Sequence, residues 1–221
     1  MFRFVIAAAA TVLLAASSAQ ASTILLSELS SDSTPAGQLS ASLDFQVAGT
    51  TLTLTVDNNT GGAASFQMNE VYFNALSNVT ALTFTSATHS VNGDVLAGWS
   101  LNPSSAVNDF GTFDFGLIDG LGIGNPNAID SGENIVFTFD ISGIGPFDMG
   151  DFVDLSTNPP GSIEAFAAAK FVSCVGAGCI DDDDSAFGAS SDPSFVIPEP
   201  SSLALLGLGL AGLTAWRRRR L

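Results

Sequence analysis

The 221-residue chain is short of positive charge. Six Lys and Arg stand against 22 Asp and Glu, giving a formal net charge of −16. Five of those six cations sit near the two ends, at Arg3 and at Arg217, Arg218, Arg219 and Arg220, so Lys170 is alone between them. A body this acidic repels phosphate backbones and anionic lipid, which excludes nucleic acid as a partner. Cations, or polymers bridged by cations, remain compatible with it. The plainest use of the acidity is solubility.

Histidine, cysteine and the large aromatics are scarce as well. His89, in Ser86-Ala87-Thr88-His89-Ser90, is the only imidazole, and no G-x-S-x-G elbow occurs, so nucleophilic hydrolysis lacks its parts. His89 reads as a loop residue near a strand end, and Lys170 as a strand-surface charge. The two cysteines, Cys174 and Cys179, lack the C-x-x-C redox spacing and are too few for a zinc site. Trp99, Trp216 and Tyr72 are the only Trp and Tyr residues, a thin supply of platforms for sugar rings. Carboxylates are plentiful: Asp109, Asp114 and Asp119 recur every five residues, and Asp148, Asp151 and Asp154 every three. Paired carboxylates suit glycoside hydrolysis. With so many acids some pair falls close by chance, and the chain is read as a non-enzyme.

What is present at the ends is more specific. Arg3, an apolar stretch from Phe4 to Ala16 and the small residues Ser17-Ser18-Ala19-Gln20-Ala21 make a secretory signal peptide. Ala19 and Ala21 form the Ala-x-Ala site, with the cut expected after Ala21. At the other end stand Pro198-Glu199-Pro200, the apolar run Ser201–Trp216 and the four arginines Arg217–Arg220. Sixteen helical residues span only about 24 Å, short of a hydrocarbon core of about 30 Å. The arginines hold that end in the cytoplasm, and Pro-Glu-Pro blocks helix extension toward the other side. Such a segment makes a poor permanent anchor and a good temporary stop.

This order of parts resembles the PEP-CTERM sorting signal, which is read by a membrane-bound protease-transpeptidase, exosortase. The resemblance implies a Gram-negative bacterium that secretes exopolysaccharide, transient membrane insertion through the C-terminal helix, and processing near Pro198–Pro200. Signal peptidase and exosortase are then the partners of maturation. The expected domains are 1–21 signal peptide, 22–180 folded domain, 181–196 acidic Ser/Gly linker and 197–221 sorting tail. The exported part holds one lysine and 21 acidic residues, a formal net charge of −20. In an exported protein Cys174 and Cys179 are expected to form a disulfide across Gly176-Ala177-Gly178, pinning a local turn.

The exported part reads as strands. Thr51-Leu52-Thr53-Leu54-Thr55-Val56 alternates at period two and ends in the turn signal Asp57-Asn58-Asn59-Thr60-Gly61-Gly62. Similar patterns cover Thr23–Leu29, Ser40–Val47, Phe66–Phe73, Val79–Ala87, Val95–Leu101, Phe110–Leu117 and Glu133–Ile141. Seven or eight short strands without amphipathic helices predict an all-β fold, an antiparallel β-sandwich of jelly-roll or immunoglobulin-like type. Phe113, Phe115, Phe137 and Phe139 are expected to fill one sheet face. Ser162–Val172 is ambiguous: its alanines favour helix, while the all-β setting favours a strand. It also resembles an Ala-rich strand found late in many PEP-CTERM exoproteins, which tips it to strand.

No cofactor is expected beyond weak calcium binding. Asp181, Asp182, Asp183 and Asp184, and the turn Asp130-Ser131-Gly132-Glu133, supply the oxygens that calcium prefers, but neither matches an EF-hand. The sequence reads as a surface or extracellular-matrix protein associated with exopolysaccharide or biofilm. The alternative is a carbohydrate-binding module or lectin on the same sandwich, with extracellular polysaccharide as its partner.

Overall fold

The structure is a computed structural model that describes residues 21–27, 29–30, 38–61, 65–90, 92–120, 127–161, 163–176 and 185–192. The signal segment up to residue 20, Asp181–Asp184 and the tail from residue 193 onward lie outside the described residues.

Alternation makes the strands. β3 (Ala41–Ala48) and β4 (Thr51–Asn58) form a hairpin in which Leu43, Phe45, Leu52, Leu54 and Val56 are fully buried. Between them Thr51, Thr53 and Thr55 look outward, as a period of two requires. β9 (Asn134–Gly143) pairs with β4 and brings Phe137 and Phe139 to the same inner face. β1 (Ala21–Leu25) and β6 (Val79–His89) complete a five-stranded antiparallel sheet in the order β1-β3-β4-β9-β6.

The second sheet has six strands. It is ordered β2-β11-β10-β5-β8-β7, from β2 (Leu29–Ser30), β5 (Ser65–Phe73), β7 (Trp99–Val107), β8 (Gly111–Asp119), β10 (Ala167–Val175) and β11 (Ala186–Ser190). The two inner faces meet in a phenylalanine core. Phe73 packs its ring against Phe45 and Phe115, both at 5.5 Å, and against Phe139 at 6.3 Å. Trp99 meets Phe137 at 5.0 Å. Each such ring contributes roughly 1.5–3 kcal/mol by leaving water. The all-β antiparallel sandwich expected from the strand pattern is the fold observed.

Three local readings need correction. Phe115, Phe137 and Phe139 do share the inner core, but Phe113 belongs to a second cluster with Tyr72, Val107, Phe110, Ala165, Ala168 and Ala189. Ser104, which lies between the β7 residues paired to Phe113 and Phe115, has φ 52, and this breaks the regular pleat there. The strand expected at Val95–Leu101 starts later, at Trp99, because Val95 and Leu96 bond to the end of β6 before the chain changes sheets. Residues 186–190 are not linker. They form β11, between β2 and β10, with Ala186 and Ala189 buried.

Ser162–Val172 ends in strand: β10 takes Ala167 onward. Its inward residues Ala167, Ala169 and Phe171 join the main core, and its outward Ala168 is buried as well. The outer cover comes from the β7–β8 turn and the segment leading into β10. Thr112 and Thr157 exchange backbone hydrogen bonds at 2.7 and 2.9 Å, and Ser156 and Ala165 bond across the same layer. Gly111 permits this approach: with φ +91, a Cβ there would lie 2.4 Å from the Thr157 carbonyl oxygen.

Candidate functional site

β6 and β7 are each an edge strand of their sheet, and residues of both border one cleft. The cleft, of about 490 Å³, is lined among others by Thr80 of β6, Ser104 of β7, Asn74, Asp114, Phe115 and Asp154. Its geometry begins with Asn74, which is nearly buried just after β5. The Asn74 side-chain oxygen accepts from the Asp114 backbone N–H at 2.8 Å, and its amide donates to the Asp154 carbonyl at 3.1 Å. One oxygen of Asp114 accepts from the Ala75 N–H at 3.1 Å, and one of Asp154 accepts from the Leu155 N–H at 2.9 Å. The pair Asp114 and Asp154 therefore comes from two different acidic runs in the sequence. Spacing along the chain gave no signal for it; long-range strand pairing produces it.

The other acids of those runs are spent on local structure. Asp148 and Asp151 cap a single 3₁₀ turn, Met149–Phe152: Gly150 donates to Asp148 and the Asp148 N–H donates to Asp151, both at 2.8 Å. Asp151 also accepts from Asn78 at 2.9 Å. Asp109 sits in the β7–β8 turn with φ 68, and Asp119 is buried at the end of β8. Neither run forms a carboxylate cluster.

His89 ends β6 rather than lying in a loop, and its Nε2 stands 3.3 Å from Glu133. Lys170 does sit on a strand surface: it pairs with Glu70 at 2.9 Å and lies 5.9 Å over the Phe187 ring. Tyr72 donates its hydroxyl to Glu70 as well. Burial, followed by that bond and the charge of Glu70, pushes the Tyr72 phenol far above its ordinary range. The Glu70 carboxylate thus fixes two neighbours on the outer face of the six-stranded sheet.

In the turn Asp130–Glu133, Asp130 accepts from Gln67 at 2.6 Å, Ser131 donates to the Thr60 carbonyl and Gly132 donates its N–H to Asn58 at 2.8 Å. Those side chains turn back to the protein. Among the described residues no group of three or more His, Cys, Asp or Glu could hold a metal ion. Asp181, Asp182, Asp183 and Asp184 lie outside the described residues. Cys174 is buried near the end of β10, while its expected partner Cys179 is outside the described residues. Ala21, expected before the signal-peptide cut, opens β1 opposite Gln46, and Ala19 is not among the described residues.

Pro198, Glu199, Pro200 and Arg217–Arg220 also lie outside the described residues, and among those that are described no helix is long and apolar enough to cross a membrane. The sorting segment is identified from sequence. The chain joins an acidic β-sandwich to a C-terminal sorting segment. The tail is a PEP-CTERM protein-sorting motif, matched over residues 196–220. The motif marks an exported protein sorted by exosortase and destined for the cell surface or the extracellular space. No curated protein matches the chain. No solved structure matches it.

Proposed function

We propose that the exported domain is a structural component of the cell surface or extracellular matrix, associated with exopolysaccharide or biofilm, and not an enzyme. The observation that carries this reading is the use of its carboxylates. Asp114, Asp148, Asp151 and Asp154 each accept backbone N–H groups and serve turns and strand ends, while the one lysine is held by Glu70. A highly charged sandwich whose Asp114, Asp148, Asp151 and Asp154 carboxylates are bound to its own backbone is suited to filling and hydrating a matrix. Asp181–Asp184 add a counter-ion cloud that takes up calcium weakly, because adjacent side chains do not converge on one ion. Deleting the gene should alter biofilm architecture, and restoring the wild-type chain should repair it. An unchanged biofilm in the deletion strain contradicts the matrix role.

The cleft supports a second reading, a carbohydrate-binding module. Asp114 and Asp154 line it together with hydroxyl side chains, and carboxylates that accept bonds from sugar hydroxyls are common in such sites. A lectin binds a defined glycan saturably, and Asp114→Ala with Asp154→Ala should abolish that binding. A matrix filler shows no saturable glycan binding. Hydrolysis of a glycan, lost on substitution of one carboxylate, would overturn both readings.

A further inference from the structure

We propose that the cleft takes an amine-bearing sugar, the free glucosamine type of unit in a partly deacetylated polysaccharide, whose ammonium groups pair with the carboxylates of Asp114 and Asp154. This rests on the carbohydrate-binding reading and narrows it to one class of ligand. The two carboxylates differ from their neighbours in what they leave open. Asp151 spends both oxygens, one on the Asn78 amide and one on the Asp148 N–H. Asp114 and Asp154 each spend one oxygen, on the N–H of Ala75 and of Leu155, and the other has no protein partner among the described residues. Asn74, only 3% exposed, bonds to the backbone of both aspartates and holds the two segments in one place. The open oxygens are thus positioned before any ligand arrives.

Charge selects the ligand class. The cleft lining carries no lysine, arginine or histidine among the described residues. A ligand that covers the two carboxylates strips water from them, and a charge left unpaired out of water is costly. A uronate, sulfate or phosphate group adds like charge to a domain of formal −20 and is disfavoured twice over. A neutral sugar donates hydroxyls but leaves both charges uncompensated. An ammonium compensates them and donates charge-assisted hydrogen bonds to the open oxygens. The field of the whole domain also draws a polycationic chain toward it.

The rest of the lining favours a sugar ring over a metal ion. Leu76 is 40% exposed, and its N–H is tied to the Asp151 carbonyl at 2.7 Å, which fixes an apolar surface in the cleft that holds the acids. Pro103 is a second exposed apolar residue there. Both suit the C–H face of a pyranose and offer a metal ion nothing. Ser77 and Ser104 are exposed in the same cleft, and their hydroxyls bond to no protein group among the described residues. Ser104 has φ 52, a left-handed conformation in which glycine is the unstrained choice, so a hydroxyl is kept in this wall at a cost to the backbone.

The test is calorimetric titration of the protein recovered from the medium, at about 0.15 M salt, with short oligomers of glucosamine, N-acetylglucosamine, galacturonate and lysine. The glucosamine oligomer should bind saturably, and its N-acetylated counterpart about tenfold more weakly, because acetylation removes the charge. Asp114→Asn with Asp154→Asn should weaken glucosamine binding about tenfold, while each asparagine keeps an oxygen to accept from Ala75 or Leu155. Asp94→Asn with Asp140→Asn removes the same net charge from exposed positions outside the cleft and should leave binding unchanged. Hydrogen exchange on the wild-type protein gives a reading independent of any variant's folding: the amides of Ala75 and Leu155 should gain protection with the glucosamine oligomer, and those of β4 should not.

Equal or tighter binding of the N-acetylated or galacturonate oligomer overturns this inference and leaves the carbohydrate-binding reading standing. Equal binding of the lysine oligomer, or an equal loss in the variant at Asp94 and Asp140, reduces the effect to bulk charge and overturns it too. No saturable binding of any sugar overturns both the inference and the reading on which it rests.

Discussion

The two sheets are built alike on their inner faces and differ on their outer ones. Inside, both contribute phenylalanine, and Phe45 and Phe139 of one sheet meet Phe73 of the other. Outside, the five-stranded sheet presents Thr51, Thr53 and Thr55 with Thr138 and Asp140 of β9, none of them buried. The six-stranded sheet presents Tyr72, Ala168 and Ala189, all buried under the β7–β8 turn and the approach to β10. One sheet is therefore half-solvated and the other is covered on both faces over part of its area. This difference decides what a substitution costs, and also what the sequence discloses.

The core should be indifferent to which sheet a residue comes from. Phe73→Ala removes a fully buried ring that contacts three other rings, and should cost about 3–5 kcal/mol in chemical denaturation. Thr53→Ala, on the open outer face, should stay within about 0.5 kcal/mol. Near-equal losses would mean that the outer threonines are covered too, and the contrast between the sheets would fail.

The sharper test compares outward positions. Ala168→Leu overfills the covered face of the six-stranded sheet and should cost about 1–3 kcal/mol. Thr55→Leu, at a partly exposed outward position of the five-stranded sheet, should be close to neutral. Thermal unfolding of both variants beside wild type measures the difference.

That covered face also explains where the sequence was legible and where it was not. β4 reads directly, because Thr and Leu or Val alternate and one face meets water. β10 does not. Its Ala167, Ala168, Ala169, Phe171 and Val172 are all buried, so period two disappears and alanine-rich composition imitates a helix. β11 was invisible for the same reason: Ala186, Gly188, Ala189 and Ser190 are buried, and Ser-Ala-Phe-Gly-Ala-Ser looks like linker. The cleft was hidden differently. Asp114 and Asp154 are forty residues apart in a chain where every acid looked equally available, and only the path of β8 and the chain after the 3₁₀ turn brings them to one surface. The sorting tail, by contrast, was fully legible, since its information is composition and order rather than packing.

Smaller effects sharpen the picture at each sheet's rim. Non-reducing peptide maps of exported protein should show the Cys174–Cys179 stretch two mass units lighter than its reduced form. Cys174→Ser should then cost at most about 2 kcal/mol, because so short a loop removes little chain entropy. Thiols of freshly exported protein that alkylate without reductant contradict the bond.

Smallest is a pH effect on the open face. Burial, then the charge of Asp57, lifts the Asp44 carboxyl above its ordinary range, against a lowering bond from Gln46. The folded state therefore binds that proton more tightly than the unfolded state. The stabilisation is full below the ordinary carboxyl range and is lost as pH rises through the folded value. Asp44→Asn should raise the Tm slightly near neutral pH and leave it unchanged near pH 3. A variant that melts lower at neutral pH would show Asp44 to be better satisfied than its surroundings imply.

The central claim is that the sandwich is the exported product and that both address segments are removed in making it. Intact mass spectrometry of the protein recovered from the medium tests this most directly. The predicted species begins at Ser22 and ends near Pro198–Pro200, and no peptide from it contains Leu203–Trp216. A released protein that retains Leu203–Trp216, or that still carries the stretch from Phe4 to Ala16, would contradict the account.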